Sequence, residues 1–252
     1  MKKLSYTLLL VFSIMHLFAQ DSLSNEEKYY KNDASYNRGG LYYNGFRLKH
    51  KETIYTNTYV LLNSFGVGIG NIFELNTAFS IIPISGESGF GVLPLILFIP
   101  KVGYDFGKFH HIGASFIFSP IMTSSKPRVI NKQIVYTFGT PNNNAGILYC
   151  NNDIINEGSD FVYLQTAIKL TKKIKIGMEH ILYTNFDEIN TNDMSFSFNK
   201  KVKSEYLIPT NFMLRISPKS SYTYCIGYIT QYRYSDEQML YLSVNIRLNR
   251  KY

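Results

Sequence analysis

Apolar and polar residues alternate with a period of two along most of this 252-residue chain. From residue 73 to residue 81, the odd-numbered positions are Phe, Leu, Thr, Phe and Ile, and the even-numbered positions are Glu, Asn, Ala and Ser. Successive side chains of a β-strand point to opposite faces, so this pattern predicts strands with one apolar and one polar face. Clear alternation occurs at 71–82, 100–106, 110–118, 174–182, 208–216, 222–228 and 240–248, and less regular candidates lie at 54–69, 128–139, 145–150 and 161–170.

Short and long connections alternate between these segments. Tight turns are predicted at 107–108, 171–173 and 218–220, and longer polar stretches lie at 119–128, 185–204 and 230–238. Outer-membrane barrels have short turns on one side and longer loops on the other. We therefore predict an all-β fold, a closed antiparallel transmembrane β-barrel of 10–12 strands over residues 41–252. A secreted β-sandwich and a soluble lipocalin-like barrel give similar strands and remain alternatives.

The N-terminus has the layout of a secretory signal peptide. Lys2 and Lys3 precede an apolar run over 4–18, and polar residues follow from position 21. A membrane anchor is the rival interpretation, but 15 residues fall short of the roughly 20 that a spanning helix needs. We expect a signal peptide over 1–20 and a polar, Tyr-rich lead over 21–40.

Composition and charge narrow the classes of partner. The 26 Lys and Arg outnumber the 18 Asp and Glu, but they occur singly or in pairs, so no nucleic-acid partner is expected. The two cysteines, Cys150 and Cys225, are too few for a disulfide scaffold or a four-ligand zinc site. A disulfide between them is permitted in the periplasm, although strand cysteines more often fill space. No metal and no cofactor are expected.

Charged residues on the polar faces are the candidate functional residues. In a transmembrane barrel a charge that faces lipid is costly, so these side chains are expected to form a network in the lumen. They form either ion pairs that plug a narrow bore or a lining that selects a solute, and the small bore favours the plug. Glu179 is expected to be buried among hydrogen bonds or ion pairs, with Lys169, Lys175 or Arg215 as partners. The set comprises Glu74, Lys101, Asp105, Lys169, Lys175, Glu179, Arg215 and Arg247.

A lipid-modifying enzyme would need a Ser, a His and an acid that converge. The candidates are His110, His111, Ser115 and Glu179. His111 and Ser115 share one face of a strand four residues apart, about 13 Å, which is too far for a dyad without a partner strand. We therefore predict no catalytic site. The expected function is an outer-membrane barrel of structural, small-solute transport or secretion-accessory type, with the enzyme and a secreted soluble β-protein as alternatives.

Five motifs follow one another in order over residues 48–185. They are LKHKETIYTNTY at 48–59, NSFGVGIGNIFELNTAFSIIP at 63–83, PKVGY at 100–104, YTFG at 136–139 and MEH at 178–180. The first resembles the LKKGExYYxNT segment of uncharacterised outer-membrane barrels from the Bacteroidetes group, and the others are similar to later segments of that family. The resemblance implies a place in the bacterial outer membrane but no established activity. For such a barrel we expect outer-membrane lipids, lipopolysaccharide and the barrel-assembly machinery as partners.

Overall fold

The computed structural model describes residues 34–38, 42–58, 62–86, 89–120, 128–152, 159–184, 211–219, 221–230 and 238–248. The expected signal peptide at 1–20 and most of the expected lead lie outside these ranges. Every regular element among the described residues is a strand. None of them belongs to a helix long and apolar enough to cross a membrane.

Twelve antiparallel strands form a closed barrel. Each strand pairs with its neighbours in sequence, and β1 pairs with β12 to complete the ring. The predicted closed β-barrel of 10–12 strands is therefore confirmed, at the upper count. The strands are β1 Thr53–Thr58, β2 Leu62–Ile69, β3 Phe73–Gly86, β4 Gly89–Phe106, β5 His110–Ser119, β6 Arg128–Gly139, β7 Asn144–Asn152, β8 Ser159–Lys169, β9 Ile174–Thr184, β10 Asn211–Lys219, β11 Tyr222–Thr230 and β12 Gln238–Arg247.

The alternation in the sequence divides the side chains between the lumen and the outer surface. On β3, Glu74, Asn76 and Ala78 are buried, whereas the large side chain of Phe79 is exposed. Exposed large apolar side chains occur on β2–β7 and on β9–β12, and Leu240 on β12 is 60% exposed. The barrel thus has an apolar exterior and a largely polar interior, the reverse of a water-soluble barrel.

The two ends of the barrel differ in their connections. At the end that we call the turn end, 70–72, 107–109, 140–143, 170–173 and 220–221 join successive strands. At the opposite loop end the connections include 120–127, 153–158, 185–210 and 231–237. The ring of twelve strands is called the wall. At the loop end β3 and β4 extend past the rest of the wall: they pair with each other as far as Gly86 and Gly89, whereas β2 pairs with β3 only as far as Phe79. The apolar run 92–100, which has no period, is part of β4.

A segment that precedes the wall lies inside the barrel. Residues 34–38 and 42–52, the inner hairpin, form two arms joined by the antiparallel bridge between Arg38 and Tyr43. The Ala34 backbone N–H donates to Thr223 Oγ1 at 2.9 Å, near the turn end of β11. The second arm leads directly into Thr53, the first residue of β1. Both arms therefore reach the turn end, and the first strand of the barrel begins at Thr53.

Candidate functional site

Small residues on the lumen face give room to the second arm of the hairpin, residues 42–52. A Cβ atom at Gly68 would lie 2.0 Å from the Lys49 carbonyl oxygen and 2.7 Å from that of Leu48. A Cβ atom at Gly66 would lie 3.2 Å from Leu48 Cδ1. Real side chains do not approach as closely as the contact at Gly68, so glycine there is required by the close passage of the hairpin. At Gly66 the closest contact, 2.2 Å, would be with Asn76 Oδ1 of β3, and the hairpin only tightens the space further.

Glu74 on β3 is completely buried and joins both arms of the hairpin to the wall. Its Oε1 accepts hydrogen bonds from Asn37 Nδ2 at 2.7 Å and from Asn76 Nδ2 at 2.8 Å. Its Oε2 accepts one from the Leu48 backbone N–H at 2.8 Å. A buried carboxylate is stable only where donors or cations replace its water, and here the hairpin supplies two of the donors.

Lys101 on β4 lies beside Glu74, with Nζ 3.9 Å from Oε2. The ammonium group also donates to the carbonyl oxygens of Phe46 and Asn37, one on each arm of the hairpin. It lies 5.1 Å from the centre of the Tyr43 ring, within cation–π range. The predicted lumen charges Glu74 and Lys101 therefore form a pair, and the backbone of the hairpin completes their coordination.

Glu179 on β9 is also fully buried, and it lies in the hydrogen-bond network that the sequence predicts. Oε1 accepts from the Tyr42 backbone N–H at 3.2 Å and from Gln165 Nε2 at 3.0 Å, and Oε2 accepts from Asn211 Nδ2 at 2.9 Å. These three donors differ from the expected lysines and arginine. One of them belongs to the hairpin, which alternation within the strands cannot reveal.

The tip of the hairpin also contacts β8. The hydroxyl groups of Tyr42 and Tyr163 lie 3.1 Å apart, and their ring centres are 4.8 Å apart. Burial raises the pKa of Tyr42 above its usual range, so its hydroxyl stays neutral. The Tyr42 side chain therefore binds the wall through a neutral hydrogen bond and ring contact, and its backbone binds Glu179.

Three predicted cations on the lumen face contact the hairpin or a turn. Arg247 Nε lies 2.7 Å from Glu52 Oε1, and Tyr36 donates to the same carboxylate. Arg215, 2% exposed, donates from Nη2 to the Arg38 carbonyl oxygen at 2.6 Å. Lys175 Nζ donates to the Pro141 carbonyl oxygen at 2.6 Å, in the turn between β6 and β7.

The remaining predicted charges lie at the turn end of the lumen. Asp105, 33% exposed, pairs with Arg47 of the hairpin at 2.8 Å and with His111 Nδ1 at 2.7 Å. Lys169 lies at the same rim, where its backbone N–H donates to Asn143 Oδ1 at 2.9 Å. All eight predicted residues lie on the lumen-facing side of their strands. They are spread along the length of the lumen and do not form one cluster.

The candidate catalytic residues do not converge. His111 Nε2 lies 3.1 Å from the Gly139 carbonyl oxygen, and the Ser115 hydroxyl donates to Gln133 Oε1 at 3.4 Å. His110 lies on the outer surface, with Nδ1 2.6 Å from the Tyr136 hydroxyl. No Ser, His and acid share a set of hydrogen bonds among these described residues.

The cysteines and possible metal ligands add no further site. Cys150 and Cys225 are both buried and are not joined by a disulfide. Asn131 Nδ2 donates to Cys150 Sγ at 3.0 Å, which fits the space-filling role. In the described part of the chain no group of three or more His, Cys, Asp or Glu is placed to hold a metal ion.

The hairpin is the feature that strand periodicity misses. Its sequence does carry a signal, because Gly39 and Gly40 separate two similar polar segments, SYNR at 35–38 and LYYN at 41–44. Gly-Gly between two segments favours a turn, but the observed bridge pairs Arg38 with Tyr43, so the connection has four residues and the signal does not give its register. No protein-family model matches this chain, and no curated protein matches it either.

Proposed function

We propose that this chain is a bacterial outer-membrane β-barrel that its own N-terminal hairpin closes to solutes. In the closed form the barrel has a structural or interaction role, and solute passage would require the hairpin to leave the lumen. The resemblance to Bacteroidetes barrels belongs to this proposal. So do the expected contacts with outer-membrane lipids, lipopolysaccharide and the barrel-assembly machinery.

The observation that carries the membrane assignment is the apolar exterior of the wall. Leu240 and Leu242 on β12 are 60% and 54% exposed, and Tyr104 and Phe106 on β4 are each 55% exposed. In water this surface would favour aggregation, whereas lipid chains would cover it. Tyr104 and Phe106 lie near the turn end, where an aromatic girdle meets the headgroups in such barrels.

Closure rests on the contents of the lumen. The hairpin binds Glu74 on β3 and Glu179 on β9, on separate parts of the ring, through Asn37 and the backbone of Tyr42. Its residues Tyr36, Phe46 and Leu48 are almost completely buried. The hairpin therefore contacts opposite parts of the ring instead of lining one side, which supports closure of the lumen to solutes.

The alternatives have less support. A secreted soluble β-protein would expose its polar faces, and here the polar faces point inward. A lipid-modifying enzyme would bring a nucleophile within about 3.2 Å of a base. His111 instead contacts a carbonyl oxygen and a carboxylate.

Planar lipid bilayers test both parts of the proposal. The full chain, purified in detergent, is expected to insert without steady ion conductance. A variant that lacks residues 34–48 is expected to insert and conduct, because the lumen loses its contents. Heat-modifiable gel mobility serves as the control, since both proteins must run as folded barrels before boiling. Steady conductance from the full chain would contradict closure, and a protein that is soluble without detergent would contradict the membrane assignment.

A further inference from the structure

Five exposed lysines surround the barrel at its turn end. Lys51 precedes β1, Lys108 lies between β4 and β5, Lys172 and Lys173 lie between β8 and β9, and Lys219 ends β10. We call these five residues the basic rim. Because they belong to separate parts of the closed ring, their charge encircles the barrel instead of forming a single patch.

The carboxylates at this end do not offset the charge of the basic rim. Among the residues that the structure describes, each is paired with another cation, in the pairs Glu52–Arg247, Glu74–Lys101 and Asp105–Arg47. The connections also differ in charge between the two ends. The five turn connections contain three lysines and no acidic residue, whereas the loop-end connections contain nine acidic and five basic residues.

Large apolar side chains are exposed at the same level as the basic rim. Ile72, in the turn between β2 and β3, is 56% exposed, and Leu170, two residues before Lys172, is 57% exposed. Phe106, two residues before Lys108, is exposed to a similar extent. A lysine has an apolar stem and a charged head, so lysines beside such groups are typical of a boundary between an apolar and a charged layer.

This arrangement distinguishes between two kinds of anionic partner. A soluble polyanion would pair with the lysines, but it would leave Ile72 and Leu170 in water and would reach only part of the ring. A bilayer surrounds a barrel on all sides and places its phosphate groups next to its acyl chains. Anionic headgroups attract nearby lysines, and the ammonium group of lysine binds phosphate as a point charge.

We propose that the turn end binds anionic phospholipid headgroups, with the lysines of the basic rim at the phosphates and Ile72 and Leu170 among the acyl chains. This inference rests on the proposed location of the barrel in a membrane. It adds the charge class of the lipid and the end of the barrel that binds it.

Native mass spectrometry of the full chain in detergent tests the proposal. Phosphatidylglycerol, which is anionic, and phosphatidylcholine, which is zwitterionic, are titrated separately with the same acyl chains. We expect phosphatidylglycerol to bind about tenfold more tightly, the effect of a few lysines near anionic headgroups. A higher concentration of ammonium acetate should reduce this preference, because salt screens exposed charges.

The triple variant K108Q/K172Q/K173Q removes three charges of the basic rim and should bring the two affinities within about threefold of each other. K200Q/K201Q/K203Q is the matched control, because it removes the same charge from the connection 185–210 at the loop end. Its preference is expected to stay within about twofold of the parent. Heat-modifiable gel mobility shows that both variants are folded barrels before they are compared.

Equal binding of the two lipids by the parent would overturn the inference while leaving the membrane assignment in place. Equal loss of preference in the two triple variants would overturn the assignment to the turn end. Binding of polyglutamate without a preference for phosphatidylglycerol would overturn the lipid in favour of an acidic protein. A protein that binds neither lipid and is soluble without detergent would contradict the proposed function itself.

Discussion

The hairpin meets the two flanks of the lumen in different ways. Against β2–β5 its second arm passes so close that a Cβ atom at Gly68 would lie 2.0 Å from a backbone oxygen. Against β10–β12 its first arm leaves a cavity of about 100 Å³ lined by Arg38 and Arg215. At Gly68 the hairpin is matched in shape to the first flank, although toward the turn end the same arm borders an open space of about 340 Å³ that Arg47 and Asp105 help to line. On the other flank, separate polar contacts surround a cavity.

This difference indicates where the hairpin is held. Close packing fixes position strongly, because a displaced atom either collides or loses many contacts at once. Polar contacts around a cavity can be exchanged for contacts with water or an ion at smaller cost. We therefore expect the hairpin to be anchored on β2–β5, while changes on the β10–β12 flank are better tolerated.

The largest effect is expected from Gly68→Val. The new side chain would occupy the position of the Lys49 and Leu48 carbonyl oxygens, which are backbone atoms and cannot rotate away. The hairpin should leave its position, and the variant should conduct ions in planar bilayers. Trypsin should also cleave it after Arg38 faster than it cleaves the parent.

Ser243→Val provides the matched control for that prediction. It also places valine on the lumen face, but at a position that lines the cavity. We expect this variant to show no steady ion conductance in planar bilayers and no new cleavage after Arg38. Equal conductance in both variants would contradict the contrast between the flanks.

An intermediate effect is expected from changing the two buried carboxylates. Glu74→Gln leaves the Lys101 ammonium without its carboxylate and turns an amide group toward donors from the hairpin. Breaking a buried ion pair costs about 3–5 kcal/mol. Glu179→Gln weakens bonds from three neutral donors, which corresponds to about 1–3 kcal/mol. Urea unfolding in detergent should rank the variants in that order, and the reverse order would argue against Glu74 as the main anchor.

The smallest effect is expected where the hairpin tip meets β8. Tyr42→Phe removes one of two buried hydroxyl groups that lie 3.1 Å apart and should lower the free energy of unfolding by about 1 kcal/mol. The double variant Y42F/Y163F should recover part of this loss, because no unpaired hydroxyl then remains in the pair. A double-mutant cycle gives the coupling directly, and a coupling near zero would show that the hydroxyl pair contributes nothing.

The wall was predictable from sequence because alternate residues of each strand face opposite surroundings, an apolar exterior and a polar lumen. Phe73, Glu74 and Leu75 show this, since each step along β3 changes the surroundings of the side chain. The run 92–100 in β4 lacks alternation, so its strand could not be recognised from that period.

The site was only partly predictable. The alternation of residues along each strand is enough to place Glu74, Lys101 and Glu179 in the lumen. It does not identify binding partners that lie outside the strands. Asn37 and Tyr42 are such partners, and they come from a segment in which hydrophobic periodicity is absent. The lumen glycines were visible in the sequence, yet Gly68 acquires its meaning only when the chain that passes beside it is known.

The position of the hairpin at the start of the barrel sequence has a consequence for the order of assembly. The Ala34–Thr223 bond joins residues 189 positions apart, and the Tyr42–Glu179 bond joins residues 137 apart. Contacts so distant in sequence form slowly, because a long loop must close before they stabilise anything. The first part of the barrel to be synthesised thus has to wait for the last strands before its docking site exists. We expect occlusion to be completed together with the pairing of β1 and β12, so that a chain truncated before β11 would leave its N-terminal segment undocked.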